Sequence, residues 1–296
     1  MKIISTKAGL AALLEVTPGD IDNVIARLPK FYTKKTEPKP NGGQRVFYVP
    51  HGRLRAFQDK IKTHILDKAR FAAYLYGGIK RKSAIKNARN HSGKEAVLAL
   101  DIKSFFPSIR PERVLAVFER LGYIGEAGRI LTRLTTYEYQ LPQGPPTSPA
   151  IANLAVPRLD ARLSGLARSQ GLSHTRFVDD MTLSGSRRLA KFSRLAARIV
   201  EEDGFKVKQG PRGQLMPQDR RQSITGLSVN FKLNVARHKR NEVLADSVRR
   251  LREGLRLDDS TQGKLAWLNS ANPKVGTRLI KAAKQLRDTG KKVEAS

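Results

Sequence analysis

Five consecutive apolar residues, Ala96 to Leu100, lead directly into an acid, Asp101. A short apolar run without alternating polar positions is typical of a strand that is buried on both faces in the centre of a sheet. The chain is therefore expected to contain a sheet with this strand in its interior. The carboxylate of Asp101 then lies at the mouth of the strand.

A second strand signal surrounds a pair of acids. Residues 175–178 and 181–184 are two short β-like segments on either side of Asp179 and Asp180. Short runs of this kind around a polar pair predict a hairpin. We place Asp179 and Asp180 at its turn.

Other elements follow from periodicity and turn residues. A capping signature at residues 17–20 marks an early helix, and a polar turn at residues 39–43 marks a hairpin tip between strands that include residues 31–32 and 46–49. Apolar residues at helical spacing predict further helices. These are a long helix after Pro50, one from Ser108 to Leu121, one from Ile151 to Arg168, and one that carries Val243, Leu244, Val248, Leu251 and Leu255.

The net charge of the chain indicates the chemical class of its binding partner. The 296 residues include 56 Lys and Arg against 26 Asp and Glu, a net charge of +30 at pH 7. This excess is far above what solubility requires, so it predicts a polyanion as partner. The chain has no cysteine, which excludes disulfide scaffolds, thiolate zinc sites and cysteine nucleophiles. No apolar stretch approaches the roughly 18 to 20 residues of a membrane span and no signal peptide is recognisable, so we expect a cytoplasmic protein without a membrane partner.

Asp101, Asp179 and Asp180 stand out because they end strand-like runs in a chain that is short of acids. Hard divalent cations prefer a few carboxylates together with water and phosphate oxygens, and two such ions can hold the attacking and leaving oxygens of an in-line displacement. The three acids are therefore a candidate metal site in a polyanion-binding protein. The alternative is that Asp179 and Asp180 form an ordinary turn, because Asp is common in turns.

Three segments resemble, in order and spacing, the palm motifs of the reverse transcriptases. They are residues 101–109, 141–149 and 177–180, which read DIKSFFPSI, LPQGPPTSP and FVDD. The resemblance implies an α+β right-hand polymerase with fingers, a ferredoxin-like palm of antiparallel sheet and helices, and a small helical thumb. It implies that Asp101, Asp179 and Asp180 bind two Mg²⁺ ions, with the carbonyl of Ile102 as a further ligand. The family more often has Tyr-Ala-Asp-Asp in the third motif, and this departure leaves the acids in place.

The resemblance also assigns residues to the incoming nucleotide. Phe106 matches a position whose ring lies under the sugar and excludes a ribose 2′-hydroxyl. The alternative is that Phe105 and Phe106 are both core residues, which we expect for Phe105. Gln143 and Gly144 match the loop that lines the nucleotide pocket, where glycine allows a close backbone approach. Arg45 matches a fingers residue that meets the triphosphate, a role that suits a planar guanidinium, and the alternative is a solvated arginine.

Further segments resemble the bacterial retron reverse transcriptases. They are an Asn-Ala-x-x-His element at residues 87–91, an Ile-Thr-Gly triplet at 224–226 where relatives have Val-Thr-Gly, and a thumb-like segment at 263–268. His91 has a structural alternative, as a satisfied histidine that caps a loop. The residues assigned to RNA binding or to the subfamily motifs are Asn87, Ala88, His91, Thr225, Gly226, Arg237, Lys264 and Trp267.

The retron resemblance implies a specific activity. Such enzymes bind a structured non-coding RNA from their own locus, prime on the 2′-hydroxyl of a guanosine and use dNTPs to make a branched RNA–DNA. Many serve in antiphage defence beside a toxic effector protein from the same locus. One alternative is another bacterial reverse transcriptase, group II intron-like or diversity-generating, that primes on a 3′-hydroxyl. The other is a catalytically idle RNA-binding protein on a palm scaffold.

The motifs divide the chain into three expected regions. Residues 1–95 form an N-terminal helix and the fingers, residues 96–232 form the palm with some fingers elements, and residues 233–296 form a basic helical thumb that binds RNA. In many relatives a lysine before the Thr-Gly triplet is the candidate to protonate the leaving pyrophosphate. This chain departs from that pattern and offers Lys208 and Arg212, so the role is left open.

Overall fold

The computed structural model describes residues 3–39, 42–253, 255, 257–274, 277 and 281. Its helices are α1 (Lys7–Leu13), α2 (Pro18–Ala26), α3 (Gly52–His64), α4 (Ala84–Arg89), α5 (Phe105–Ser108), α6 (Pro111–Arg120), α7 (Gly125–Thr135), α8 (Ser148–Leu154), α9 (Pro157–Ser169), α10 (Ser193–Glu202), α11 (Arg237–Arg252) and α12 (Asp259–Ala271). Its strands are β1 (Tyr32–Pro38), β2 (Gln44–Pro50), β3 (Ala96–Asp101), β4 (Ser173–Phe177), β5 (Asp180–Gly185), β6 (Gln214–Pro217), β7 (Ser223–Ile224), β8 (Leu227–Ser228) and β9 (Asn234–Val235). In this part of the chain, no helix has the length and apolar character needed to cross a membrane.

The central sheet is antiparallel, with strand order β4-β5-β3-β6. β3 lies between β5 and β6, which confirms the predicted interior strand. Its side chains alternate between two apolar clusters, with Leu98 and Leu100 in the larger one and Val97 in the smaller one. Helices α6, α7, α9 and α10 supply the larger cluster, while α4, the small sheet β7-β8-β9, α11 and α12 supply the smaller one. Both faces of β3 are therefore covered.

The N-terminal elements match their sequence signals. Thr17 and Asp20 form a capping box, in which each side chain accepts a hydrogen bond from the other's backbone N–H at 3.1 Å. β1 and β2 form the predicted hairpin, with Tyr32 opposite Pro50. The ring of Tyr137 packs 4.5 Å from that of Tyr32 and 5.1 Å from that of Tyr48, measured between centroids. These contacts join the hairpin to the segment after α7.

Two predicted helices have different bounds because of proline. The single helix from Ile151 to Arg168 is wrong, since α8 ends at Leu154 and α9 begins at Pro157. Proline lacks the N–H that would continue the first helix, but it suits the first turn of the second. The helix predicted from Ser108 begins only at Pro111, because the residue before a proline disfavours helical backbone and Arg110 is extended, with ψ of 160°.

The C-terminal prediction also needs correction. Residues 234–235 form β9, which pairs with β8, so the helical part begins at Arg237 and not near residue 233. Val235 packs in the smaller apolar cluster with Leu227, and this packing overrides the local helical pattern. α11 ends at Arg252, so Leu255 is not on the predicted amphipathic helix and is 52% exposed. Residues 282–296 of the predicted thumb lie outside the described residues.

Candidate active site

The three predicted acids lie at one end of the central sheet. Asp101 ends β3, Asp180 begins β5, and the two are partners in the strand register. Asp179 lies in the turn between β4 and β5, where its carbonyl accepts a hydrogen bond from the N–H of Ile102 at 3.2 Å. Asp180 pairs with Phe177 across the hairpin, so it starts the strand and is not in the turn as predicted. The pairing brings the three residues to one edge of the sheet.

The carboxylates are crowded and partly removed from water. Burial is the main cause that raises the pKa of Asp180 to about 7, and repulsion from Asp179 and then Asp101 adds to it. Burial also raises the pKa of Asp179, with Asp101 contributing. The ammonium of Lys208 forms an ion pair with Oδ2 of Asp101 at 2.8 Å. A positive charge at this edge is therefore favoured.

This donor set fits a divalent cation, because such ions bind clustered carboxylates and relieve the repulsion between them. Within the described ranges, no three acidic or histidine side chains already form a closed metal site. The carboxylate of Asp101 is ion-paired with Lys208. A metal ion bound by all three acids would take the place of that ammonium at Asp101.

Lys208, whose role the sequence leaves open, lies at the acids in the structure. The N–H of Lys208 donates to the carbonyl of Asp101 at 2.8 Å, and the N–H of Lys103 donates to the carbonyl of Lys206 at 2.8 Å. These bonds hold residues 206–208 beside the end of β3 and direct the ammonium to the carboxylate. The hydrogen bond to Asp101 is the main cause that raises the pKa of Lys208.

A cavity of about 770 Å³ opens over the acids. Arg45 from β2, Gln143 and Lys208 are among its lining residues, together with the three aspartates. Arg45 is close enough for its charge to oppose the rise in the pKa of Asp179. The structure thus brings two predicted nucleotide-binding residues, Arg45 and Gln143, to the same space as the predicted metal ligands.

Gly144 lies very close to the backbone of Tyr48 on β2. Its φ is +118°, and a Cβ at this position would lie 2.7 Å from the carbonyl oxygen of Tyr48. The N–H of Tyr48 donates to the carbonyl of Gln143 at 2.8 Å. The absence of a side chain therefore lets the loop dock on β2, which sets the wall of the cavity. This differs from the predicted approach to the nucleotide.

The two phenylalanines of the first motif differ in burial. Phe105 is 2% exposed and its ring packs 5.6 Å from that of Phe205, which confirms the expected core position. Phe106 is half-buried, with its ring 6.0 Å from that of Phe105. Its sequence neighbours Phe105 and Pro107 line the cavity. The assignment of Phe106 to sugar discrimination stays a prediction.

The turn that carries Asp179 is held by Arg176, a residue that was not predicted from the sequence. Val178, just before Asp179, has φ of +60°, a region that β-branched residues rarely occupy. The fully buried Arg176 donates from Nη1 to the carbonyl of Val178 at 2.9 Å. Its Nε and Nη2 each donate to a carboxylate oxygen of Asp160 at 2.7 Å. A buried bidentate ion pair thus anchors the guanidinium that holds the turn.

Two more residues brace the same turn. The backbone carbonyl of Asn153 accepts a hydrogen bond from Nη2 of Arg176 at 2.8 Å. Its side-chain amide donates to the backbone carbonyl of Gly77 at 2.7 Å. A Cβ on Gly77 would lie 2.4 Å from Cγ2 of Val178, so the backbone at residue 77 packs directly against the turn. One sequence feature could have revealed this buried ion pair. Asp160 is an acid on the face of α9 that also bears the buried residues Leu163 and Ala167, so it needs a buried partner.

The Asn-Ala-x-x-His element is buried. Asn87, Ala88 and His91 are each 0% exposed. Nδ1 of His91 lies 2.7 Å from Oγ of Ser184 on β5, and Nε2 lies 2.7 Å from Oγ1 of Thr175 on β4. His91 therefore joins the two strands that carry the paired acids. These three side chains are buried, so their assignment to RNA binding or to the subfamily motif stays a prediction. His91 is a satisfied structural histidine, as the alternative held, but it bridges two strands and does not cap a loop.

We expect the stability of the protein to fall on acidification because of His91. Burial, with weaker repulsion from His174 and Lys94, lowers the pKa of His91 to about 3. An unfolded histidine has a pKa of about 6.5, so between these values only the unfolded chain takes up the proton. The stability present above the unfolded pKa is therefore lost as pH falls through that window, by up to about 1.4 kcal/mol per pH unit from this group.

Denaturant unfolding between about pH 7 and pH 5 measures this dependence. His91→Gln should weaken it, whereas His238→Gln, at an exposed histidine, should leave it unchanged. An unaltered pH dependence in His91→Gln would contradict the burial of a neutral His91.

Comparisons with known proteins agree with this geometry. Residues 34–209 match the sequence model of the family described as reverse transcriptase (RNA-dependent DNA polymerase). The retron Mx65 reverse transcriptase of Myxococcus xanthus is 31% identical, over 94% of this chain and 71% of that protein. The retron Ec86 reverse transcriptase of Escherichia coli is 32% identical, over 81% of this chain and 76% of that protein. Telomerase from Candida albicans, solved with a fragment of telomeric RNA, has a TM-score of 0.52 at 11% identity, over 88% of this chain and 55% of that one, a likeness of fold alone.

Proposed function

The chain belongs to the retron reverse transcriptases and is an RNA-directed DNA polymerase, and we propose that it copies one structured non-coding RNA, starting from the 2′-hydroxyl of a guanosine in that RNA. The product is a branched RNA–DNA built from dNTPs. The observation that carries the proposal is the common cavity of Asp101, Asp179 and Asp180 with Arg45 and Gln143. The priming step rests on the similarity to retron enzymes over 94% of the chain. Antiphage defence beside a toxic effector protein is a further part of the proposal.

Reverse transcriptases use divalent metals, and we infer that this one holds two Mg²⁺ ions. Asp101, Asp179 and Asp180 would bind them, with the carbonyl of Ile102 as a further ligand. When bound, such ions stabilise charge on the attacking and leaving oxygens of phosphoryl transfer. Arg45 offers a fork of N–H donors to the triphosphate. Lys208, once released from Asp101, is a lysine in the cavity that can protonate the leaving pyrophosphate.

Sequencing of the nucleic acid that co-purifies with the protein tests this proposal. The protein is expressed together with its own locus, and the RNA and DNA are extracted and sequenced separately. We expect one abundant RNA and a DNA that is complementary to part of it. Recovery of host RNA fragments without complementary DNA would contradict the proposal.

Phe106→Ala should raise the use of ribonucleotides relative to deoxynucleotides. Removal of the ring leaves space for a 2′-hydroxyl beside the sugar. The ratio of kcat/KM for dGTP and GTP measures this, and one lost steric exclusion should change it by about tenfold or more. Phe118→Leu is the control, because Phe118 lies in the core and does not line the cavity. An unchanged ratio in Phe106→Ala would return Phe106 to a packing role.

We propose that the thumb, residues 233–296, takes part in choosing the cognate RNA. Among its described residues, Arg237 and Lys264 are exposed on α11 and α12, and Trp267 is half-buried against the smaller apolar cluster. Thr225 and Gly226 have φ of +46° and +80° and form the tight turn before β8.

If the segment from about residue 233 to 290 is exchanged for that of a relative with a different RNA, RNA preference at equal salt should follow it, because phosphate contacts alone do not distinguish RNAs. A preference that stays with the rest of the chain would place recognition elsewhere.

A further inference from the structure

A basic cleft of about 330 Å³ lies beside α4. Its lining consists of four cations, Arg81, Lys82, Lys86 and Arg89, with Tyr76 and Asn90. It shares no lining residue with the cavity over the acids. The ion pairs found in the described part of the chain include none of the four cations. The four positive charges of the cleft therefore take part in none of these ion pairs.

Hydrogen bonds to neutral groups hold the cleft in shape. Nζ of Lys86 donates to the carbonyl of Arg81 at 2.9 Å. Nζ of Lys82 donates to the carbonyl of Ala73 at 2.8 Å and stands 4.3 Å from the centroid of the Tyr76 ring. The amide of Asn90 donates to the Tyr76 hydroxyl at 2.9 Å. These bonds order the two lysines without neutralising them, which leaves their charge available to an anion.

An exposed aromatic ring stands beside the C-terminal end of α4. The N–H of Gly93 donates to the carbonyl of Val229 at 2.9 Å, and Oγ of Ser92 donates to the carbonyl of Phe231 at 3.4 Å. Phe231 is 76% exposed, so its ring is largely in solvent, while its backbone is held to the segment that directly follows α4. We call the six cleft residues together with Phe231 the α4 surface.

The α4 surface also meets the Thr-Gly triplet. Oγ1 of Thr225 donates to the carbonyl of Ala84, the first residue of α4, at 3.2 Å. A Cβ on Gly226 would lie 3.7 Å from Nζ of Lys239 on α11, so a further cation lies beside the triplet. The two retron motifs are therefore joined in space. The buried Asn-Ala-x-x-His element overlaps the end of α4. The Ile-Thr-Gly triplet contacts α4 through Thr225 and lies beside α11 through Gly226.

We propose that the α4 surface binds the RNA partner of this enzyme, with backbone phosphates in the cleft and an unpaired base stacked on Phe231. Lys and Arg that neutralise phosphates supply sequence-independent affinity. An aromatic ring beside a basic groove is the arrangement by which proteins take up unpaired bases of RNA loops and ends. An isolated exposed ring serves an unpaired base better than it serves a fully double-stranded helix or an acidic protein. This inference rests on the proposed function and gives its RNA a site outside the thumb helices.

Two double variants with equal charge change test the cleft. Arg81→Gln/Arg89→Gln removes its two arginines, whose side chains are not needed for the hydrogen bonds above. Arg129→Gln/Arg133→Gln is the control, at exposed positions on α7. The measurement is the Kd for a labelled RNA stem-loop with a single-stranded tail, over a series of salt concentrations. We expect about tenfold weaker binding in the cleft variant and a salt slope smaller by about 1.4, since each of two single-strand phosphate contacts contributes about 0.7.

Phe231 is tested separately. Phe231→Ala should weaken binding by about tenfold without changing the salt slope, and Phe231→Trp should restore it, because stacking needs a ring and not a charge. Suppose that the wild-type protein binds the RNA. Equal affinities of the cleft and α7 variants, or no loss of affinity in Phe231→Ala, would then contradict RNA binding by the α4 surface and leave the proposed function standing. A wild-type protein that binds no RNA would overturn the proposed function as well.

Discussion

Asp179→Asn and Asp101→Asn should each abolish DNA synthesis and leave RNA binding intact. The amide has nearly the shape of the carboxylate, but it supplies no negative charge to hold a divalent cation. Metal ions contribute several kcal/mol of charge stabilisation to phosphoryl transfer, so the rate should fall by at least about a thousandfold. Primer extension on an RNA template with dNTPs and Mg²⁺ measures the loss.

Asp219→Asn is the matched control, because Asp219 is an exposed acid shortly after β6. It should retain full activity. Asp179→Asn should be folded and no less stable than the wild type in the absence of metal, because burial, with repulsion from Asp101, raises the pKa of Asp179. Polymerisation by Asp179→Asn at a rate near that of the wild type would contradict the metal assignment.

Arg176→Lys should lower kcat strongly while leaving the KM for dNTPs and the affinity for RNA near their wild-type values. Lysine keeps the charge, but it cannot bind both oxygens of Asp160 and the carbonyl of Val178 at once. The turn that presents Asp179 would lose its anchor. A hydrogen bond from a charged group contributes about 1.5 to 3 kcal/mol, which corresponds to about a 10- to 100-fold loss in kcat if the turn must be held for each reaction.

Arg113→Lys is the control, because Arg113 also forms an ion pair with a buried carboxylate, that of Asp203 at 2.9 Å. It should cost stability without an equal loss in kcat. Gly77→Ala provides a second variant in which no charge changes, and it should also lower kcat because its Cβ would displace Val178. If folded Arg176→Lys and Gly77→Ala both keep the wild-type kcat, Arg176 has a structural role only.

Sequence reasoning located the acids because their signals are local. A short apolar run without alternating polar positions is typical of an interior strand, which placed Asp101 at a strand end. The acidic pair interrupts two β-like segments and therefore had to lie near a hairpin turn. The register between β4 and β5 could not be predicted from these local signals. In the structure it places Asp180 on β5 itself and not in the turn.

The groups that support the acids depend on contacts between distant residues. Arg176 acts through Asp160 and Asn153, and Gly77 reaches the turn from about a hundred residues away in sequence. In a chain with 56 Lys and Arg, nothing local distinguishes Arg176 from a solvated cation. His91 was similarly ambiguous, because its partners Thr175 and Ser184 become visible only once β4 and β5 are paired.

The chemical linkage between RNA and DNA in the co-purified product tests the central proposal most directly. The nucleic acid is digested with a debranching enzyme specific for 2′–5′ phosphodiesters, and its length is compared by denaturing electrophoresis before and after treatment. Priming on a guanosine 2′-hydroxyl predicts that the treatment releases the DNA as a shorter species with a free 5′ end. A product whose length is unchanged by the enzyme, with DNA joined to a 3′-hydroxyl primer, would contradict it.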